Sequence, residues 1–120
     1  MRIFKTKIFH RWAKKLSLGD EALRNAIAEL NQNQYEASLG GYLYKKRIAL
    51  NSRGKSAGVR TIIAFKLDDK AFFVYGFAKN QQENMSFKEM LAYQKLARIL
   101  LFKNENQLQL AILHKTILEI

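Results

Sequence analysis

The stretch that decides the fold is residues 43–80, which reads LYKKRIALNSRGKSAGVRTIIAFKLDDKAFFVYGFAKN. It contains three apolar runs, separated by a Gly/Ser-rich loop and by the pair Asp68-Asp69. Runs rich in β-branched and aromatic residues between turn-forming residues are typical of strands. The stretch therefore predicts a three-stranded antiparallel meander over about residues 42–50, 59–67 and 71–78.

The positive charges of this stretch lie in or beside the predicted strands. Among them are Lys45, Lys46, Arg47, Lys55, Arg60 and Lys79. No acidic residue occurs between Glu36 and Asp68, so the cations have no carboxylate neighbours in sequence. Because side chains alternate along a strand, Lys45 and Arg47 should share one face and Lys46 the other. The same alternation puts Phe73, Tyr75 and Phe77 together. A sheet with this charge pattern is expected to bind a polyanion.

Helices are predicted on both sides of this stretch. After an alternating start over residues 1–5, the spacing of Ile8 and Trp12 predicts a short helix to residue 15. Ser17 and Asp20 resemble a capping box, and apolar residues at helical spacing then predict a second helix to about residue 31.

Ser86 and Glu89 form an S-x-x-E capping box before a third helix that is predicted to end near residue 103. One side of this helix would carry Phe87, Met90, Leu91, Ala97, Leu100 and Leu101. Residues 105–120 predict a short helix and a terminal strand. The main order is β-α-α-β-β-β-α, which predicts one compact α+β domain over residues 1–120. Its antiparallel sheet would be packed by two N-terminal helices and a C-terminal helix.

Composition excludes several kinds of site. With 120 residues, the chain can bury a core of its own. The absence of cysteine excludes disulfides and thiolate metal sites. His10 and His114 are far apart, and no residues have metal-ligand spacing, so we expect no metal and no small-molecule cofactor. The start of the chain lacks the apolar core of a signal peptide, and no segment could span a membrane. We expect a soluble cytoplasmic protein.

The net charge points to the kind of partner. The chain has 21 Lys and Arg against 10 Asp and Glu, a net charge of +11 and a pI of about 10.0. Nucleic acid is the first candidate partner. An anionic membrane surface, an acidic protein and a basic surface without a specific role are the alternatives.

A cluster of Lys and Arg can cleave RNA without a metal. The 2′-hydroxyl attacks the adjacent phosphorus, and an arginine stabilises the charge that builds on the phosphoryl oxygens. A lysine crowded by other cations has a lowered pKa and can transfer protons. Tyr75 and Phe77 could stack on unpaired bases. The alternatives are phosphate attraction without catalysis for the cations and an ordinary core for the aromatic residues.

Three segments carry a resemblance to a known family: LGGYLYKKRIAL (39–50), GKSAGVRTIIAFK (54–66) and AFFVYGFAKN (71–80). With the opening FKTKIFHRWAKK and the terminal LEI, the chain resembles the RelE/HigB group of bacterial type II toxins. The resemblance implies a ribosome-dependent mRNA endonuclease that works without metal through 2′-hydroxyl attack and inhibits translation. It also implies a cognate antitoxin, often a helix-turn-helix protein.

The resemblance also implies roles for individual residues. Lys45 and Arg47 would contact phosphate or transfer protons, and Arg60 would stabilise the transition state. Lys79 resembles a catalytic acid or base position. The implied RNA-binding residues are Lys46, Lys55, Phe77 and Asn80. Some members of the group carry a catalytic Tyr or His late in the chain, and neither Tyr93 nor His114 matches such a position.

A second interpretation keeps the fold without the reaction. ParE-type gyrase inhibitors share this architecture, and a fold does not determine a function. The alternative is therefore a non-catalytic relative, either a ParE-like gyrase inhibitor or an RNA-binding module.

Overall fold

A computed structural model describes residues 1–50, 58–78 and 85–120. These residues form six strands and four helices. The strands are β1 (Arg2–Thr6), β2 (Ala37–Gly40), β3 (Leu43–Ile48), β4 (Val59–Lys66), β5 (Lys70–Ala78) and β6 (Ile117–Glu119). The helices are α1 (Lys7–Lys15), α2 (Asp20–Leu30), α3 (Phe87–Leu101) and α4 (Glu105–Leu113). Over the described ranges, each helix is too short or too polar to cross a membrane. The predicted α+β class is confirmed.

All six strands belong to one sheet, in the order β2-β3-β4-β5-β1-β6. The predicted meander is confirmed, because β3 pairs antiparallel with β4 and β4 pairs antiparallel with β5. The prediction of a wholly antiparallel sheet is wrong for one pair, since β1 runs parallel to β5. The long chain between β1 and β5, which contains α1, α2 and three strands, permits this direction, whereas a hairpin would not. The segment 37–40, which lies outside the predicted strands, adds the edge strand β2.

Helices cover both faces of the sheet, and each face has its own core. Helices α1 and α2 bury Phe9, Leu23 and Ile27 against one face. Helices α3 and α4 bury Leu101 and Leu108 against the other. We call these the α1/α2 face and the α3/α4 face.

A bulge in β5 changes which side chains share a face. Ile62 of β4 pairs with Tyr75 and Ile63 pairs with Phe73, so Val74 is an extra residue in β5. An extra residue shifts the alternation of the bulged strand. Phe73 consequently packs on the α1/α2 face, and the prediction that it lies beside Tyr75 and Phe77 is wrong.

The predicted helices are present, with two differences near the N-terminus. Phe9 and Ala13 are the buried residues of α1, while Ile8 is 68% exposed, so the pair Ile8 and Trp12, whose spacing predicts the helix, does not form its buried face. The predicted Ser17–Asp20 cap is also wrong. Gly19 is the N-cap of α2 and makes no side-chain cap hydrogen bond, because glycine has no side chain. Ser17 lies in the preceding turn, with φ 55°.

The capping box of Ser86 and Glu89 at the start of α3 is confirmed. The predicted apolar side of this helix is only partly buried. Ala97, Leu100 and Leu101 are in the core, but Phe87 and Leu91 are exposed. The N-terminal half of α3 therefore contributes less to the core than its sequence predicts.

Candidate nucleic-acid interface

Strand register brings three predicted site residues into one row. Arg47 of β3 lies opposite Arg60 of β4, and Arg60 lies opposite Phe77 of β5. Residues directly opposite each other in antiparallel strands point to the same face, with Cβ atoms about 4.5–5.5 Å apart. The row lies on the α3/α4 face, where Phe77 belongs to the core.

Lys45 joins this row from the neighbouring position of β3 on the same face. Its Nζ lies 6.0 Å from the centroid of the Phe77 ring, at the limit of a cation–π contact. The predicted segregation of the β3 cations is confirmed, since Lys45 and Arg47 share this face. We call Lys45, Arg47, Arg60 and Phe77 the sheet site.

Arg60 is a largely buried cation of the sheet site. Its side chain is 13% exposed, and its Nε forms an ion pair with Glu36 Oε1 at 2.8 Å. Its Nη1 is buried and has no hydrogen-bond partner among the described residues. A buried donor without an acceptor is unfavourable, so an anionic oxygen that accepted from Nη1 would be stabilised at this position.

Arg47 lies at the exposed end of the row, next to Gly58 at the start of β4. A Cβ on Gly58 would lie only 2.9 Å from Arg47 Nε. The absence of a side chain at Gly58 therefore leaves room for the Arg47 guanidinium.

Two tyrosine rings, Tyr75 and Tyr93, continue from the Phe77 ring of the sheet site toward α3. The Tyr75 centroid lies 6.0 Å from that of Phe77 and 5.6 Å from that of Tyr93 on α3. Desolvation by burial raises the pKa of Tyr93, and Tyr75 and Glu89 raise it further. The phenol is therefore protonated near neutral pH and can donate a hydrogen bond. Sequence reasoning left Tyr93 unassigned, because its contact with Tyr75 depends on how α3 crosses the sheet.

Phe77 was predicted to bind RNA by stacking on a base, with a core position as the alternative. It is 7% exposed and belongs to the α3/α4 core. Tyr75 and Tyr93 are more exposed and present more ring surface for stacking.

Lys46 lies on the opposite face from the sheet site, as its alternation predicts. Its side chain is 10% exposed, and Nζ lies 2.6 Å from Glu29 Oε1 of α2. Lys46 and Arg60 thus have carboxylate partners in the fold, although no acidic residue lies near them in sequence. Glu29 and Glu36 precede the strands in sequence but reach them in the fold, and Glu36 is a site residue that sequence reasoning missed.

Three predicted site residues, Lys55, Lys79 and Asn80, lie outside the described residues, so their roles stay predictions. His114 is the exposed C-cap of α4. Within the described ranges, no cluster of His, Asp or Glu could hold a metal ion.

The chain was also compared with known proteins. A family model described as the RelE toxin of the RelE/RelB toxin–antitoxin system matches residues 1–120. The chain belongs to the RelE toxin family. A comparison with curated proteins found no match. The match confirms the resemblance predicted from sequence and extends it over the whole chain. Toxins of this family are generally endoribonucleases that inhibit translation, and each has a cognate antitoxin as partner.

Proposed function

We propose that this RelE-family protein is a ribosome-dependent mRNA endonuclease that cleaves without metal through attack of the 2′-hydroxyl. The observation that carries the proposal is Arg60. Its guanidinium is fixed by Glu36 through Nε, and its Nη1 is buried without a partner among the described residues. A preorganised donor of this kind stabilises charge as it develops, which is the main requirement of this reaction.

Each cation of the sheet site has a role in the proposed reaction. The 2′-oxygen forms a bond to phosphorus and the bond to the 5′-oxygen breaks, leaving a 2′,3′-cyclic phosphate and a free 5′-hydroxyl. Arg60 donates to a phosphoryl oxygen, while Lys45 and Arg47 hold the scissile phosphate. Lys79 takes the proton from the 2′-hydroxyl or gives one to the leaving oxygen. No metal is needed, because the cations neutralise the phosphorane charge.

The RNA substrate would bind across the sheet site, next to the rings of Tyr75 and Tyr93. Tyr75 and Tyr93 support the stacking of bases next to the cleaved bond, as single-stranded RNA recognition requires. Lys55 and Asn80 would contact the RNA from the segments that flank β4 and β5. Lys46 stays outside this arrangement, since it is paired with Glu29 on the other face.

We also propose where the protein acts and how its activity is neutralised. The protein acts in the cytoplasm on mRNA held by the ribosome. A helix-turn-helix antitoxin neutralises it by covering Arg60 and Lys79. The antitoxin would place carboxylates or backbone carbonyl oxygens against Arg60 and Lys79, the donors that otherwise bind phosphate.

The decisive experiment is primer extension on a reporter mRNA in a defined translation mix. It compares the wild type with Arg60→Ala and with the double variant Arg60→Ala/Lys79→Ala. Removing one such group is expected to lower the cleavage rate by about 10²–10⁴-fold. Cuts should appear with the wild type only when ribosomes are present.

Arg24→Ala is the matched control, because Arg24 is an exposed arginine on α2, away from the sheet site. It should cut like the wild type. Cuts by the double variant would mean that other residues carry the reaction. Intact mRNA with the wild-type protein would favour the gyrase-directed or RNA-binding alternative.

A further inference from the structure

A crevice with a volume of about 380 Å³ lies between α1 and the start of α2. Small-molecule sites in proteins have volumes of about 300–1,000 Å³, so the crevice is large enough for a small ligand. Five polar side chains line it: Lys5, His10, Lys14, Ser17 and Asp20. It lies on the α1/α2 face of the sheet and is therefore separate from the sheet site. We call it the α1–α2 crevice.

Lys5 brings a buried positive charge to the α1–α2 crevice. It points to the α1/α2 face together with its register partner Phe73, and its side chain is 7% exposed. Its Nζ donates to Asp20 Oδ1 at 2.7 Å and has no second acceptor among the described residues. An ammonium group has three N–H donors, so two of them are left for a ligand.

His10 contributes a second donor. Its Nδ1 is buried and has no hydrogen-bond partner among the described residues. A neutral imidazole carries one N–H, and a proton on Nδ1 would leave a buried donor unpaired, which is unfavourable. The neutral ring is therefore expected to carry its proton on Nε2. Because His10 lines the α1–α2 crevice, this N–H can donate to a ligand there.

The turn that follows α1 fixes the open side of the crevice. Ser17 has φ 55°, and its backbone N–H donates to the carbonyl oxygen of Lys14 at 3.1 Å. The N–H of Leu18 donates to the carbonyl oxygen of Ala13 at 2.9 Å. Ser17 and Lys14 are exposed at the opening, whereas Ala13 and Leu18 are buried and form an apolar part of the wall.

We propose that the α1–α2 crevice binds a small hydroxylated phosphate monoester, such as a sugar phosphate. The side chains that can donate to the phosphate are Lys5, His10, Lys14 and Ser17. Four donors suit the several oxygens of a phosphate, and hydrogen bonds to an ionised acceptor are strong ones. The Oδ2 of Asp20 has no partner among the described residues and can accept from a hydroxyl group of the ligand.

The inference goes beyond the proposed function and does not rest on it, because the crevice and the sheet site lie on opposite faces of the sheet. A nucleotide shares the phosphate monoester chemistry of a sugar phosphate but adds a base. Among the described residues, no Phe, Tyr or Trp lines the crevice. A platform for stacking a base is thus missing from its described wall, and this favours the sugar phosphate.

The test is isothermal titration calorimetry of the whole protein with four probes: ribose 5-phosphate, inorganic phosphate, ribose and uridine 5′-monophosphate. Ribose 5-phosphate should bind at least about tenfold more tightly than inorganic phosphate, because a hydrogen bond from its hydroxyl groups to the Asp20 carboxylate is added. Ribose should show no binding. Equal affinities for ribose 5-phosphate and inorganic phosphate, or tighter binding of the nucleotide, would overturn the proposal.

Lys14→Gln and His10→Leu each remove one donor and should weaken the binding of ribose 5-phosphate by about ten- to a hundredfold. Lys15→Gln is the matched control, since Lys15 is an exposed neighbour of Lys14 that does not line the crevice. His10→Leu should unfold at a temperature at least as high as the wild type, because it removes a buried nitrogen that has no partner. Equal losses in Lys14→Gln and Lys15→Gln would show general charge attraction and overturn the proposal.

The two histidines of the chain provide an internal control by NMR. Ribose 5-phosphate should shift the ring-proton resonances of His10 and leave those of His114, which is exposed at the end of α4. Unchanged His10 resonances, equal shifts of both rings or no saturation at millimolar concentrations would overturn the proposal. Failure of the proposed cleavage would appear in primer extension and would leave these titrations unaffected.

Discussion

At the scale of single residues, the pair of Glu36 and Arg60 decides how the candidate site can work. The carboxylate Oε1 of Glu36 lies 2.8 Å from Arg60 Nε. This ion pair restricts the guanidinium, while Nη1 is left without a partner among the described residues. Glu36 therefore acts as a positioning residue for Arg60 and does not itself need to touch RNA.

Glu36→Gln should slow cleavage at saturating RNA by about ten- to a hundredfold, because it removes the charge that holds the Arg60 guanidinium in place, an interaction of about 1.5–3 kcal/mol. The dissociation constant for RNA should change much less, since the charge of Arg60 remains. Single-turnover rates and binding titrations separate the two effects.

Glu29→Gln is the matched control for this prediction. It removes the corresponding ion pair with Lys46 on the other face and should leave the cleavage rate unchanged. Faster cleavage by Glu36→Gln would mean that the carboxylate competes with phosphate for Arg60, and would contradict the positioning role.

At the scale of elements, the turn between β2 and β3 is fastened to α3. Gly40 and Gly41 both have positive φ, 78° and 57°. Gln94 of α3 donates from Nε2 to the carbonyl oxygen of Leu39 at 2.9 Å. The hairpin that carries Lys45 and Arg47 is thereby held against the helix that carries Tyr93.

Gly41→Ala should destabilise the protein by about 1–2 kcal/mol, the cost of left-handed backbone for a residue with a Cβ. The new methyl would also lie 2.9 Å from Gln94 Cγ. Gly19→Ser is the control, because no atom lies within 4 Å of a Cβ there and serine is a better N-cap than glycine. Thermal or urea unfolding should show a loss for the first variant and a gain of a few tenths of a kcal/mol for the second. Equal stability of the wild type and Gly41→Ala would mean that the turn adapts at no cost.

Apart from the short edge strand β2, the elements could be predicted from sequence, because strands and helices follow local periodicity. The face assignments that failed have local causes. Ile8 and Phe9 are both apolar, so periodicity alone did not decide which of them faces the core. The bulge at Val74 has no signature among its apolar neighbours. The contacts of Arg60 with Glu36 and of Tyr75 with Tyr93 depend on how distant segments meet, which local patterns do not encode.

At the scale of the whole molecule, the two ends of the chain are joined by an ion network. Arg2 of β1 binds Glu119 of β6 at 2.8 Å and Glu105 of α4 at 2.7 Å. The hydrogen bond from Arg2 holds the pKa of Glu119 below its usual value. A carboxyl group with a lowered pKa in the folded state stabilises the fold when it is ionised.

The free energy of unfolding should consequently fall in acid, because Glu119 becomes protonated there. The contribution of Glu119 is fully present above the pKa of an unfolded glutamate, about 4.5, and is lost as the pH falls through the lower folded pKa. Glu119→Gln should cost less than about 1 kcal/mol at pH 7, because the pair is partly exposed, and the difference from the wild type should disappear in acid. Urea unfolding at pH 7 and pH 3, with the exposed Glu21→Gln as control, measures this. A difference that persists at pH 3 would contradict the ionic origin.

The close contact between Trp12 and Gly76 has one more consequence. Trp12 is the single tryptophan of the chain, and a Cβ on Gly76 would overlap its ring. The indole is therefore an intrinsic fluorophore placed where α1 meets β5, on the face of the sheet opposite the sheet site. A ligand that shifts the helix relative to the strand would change its emission wavelength, whereas a ligand that leaves this contact in place would not. The protein can thus report, without a label, whether its two faces move together.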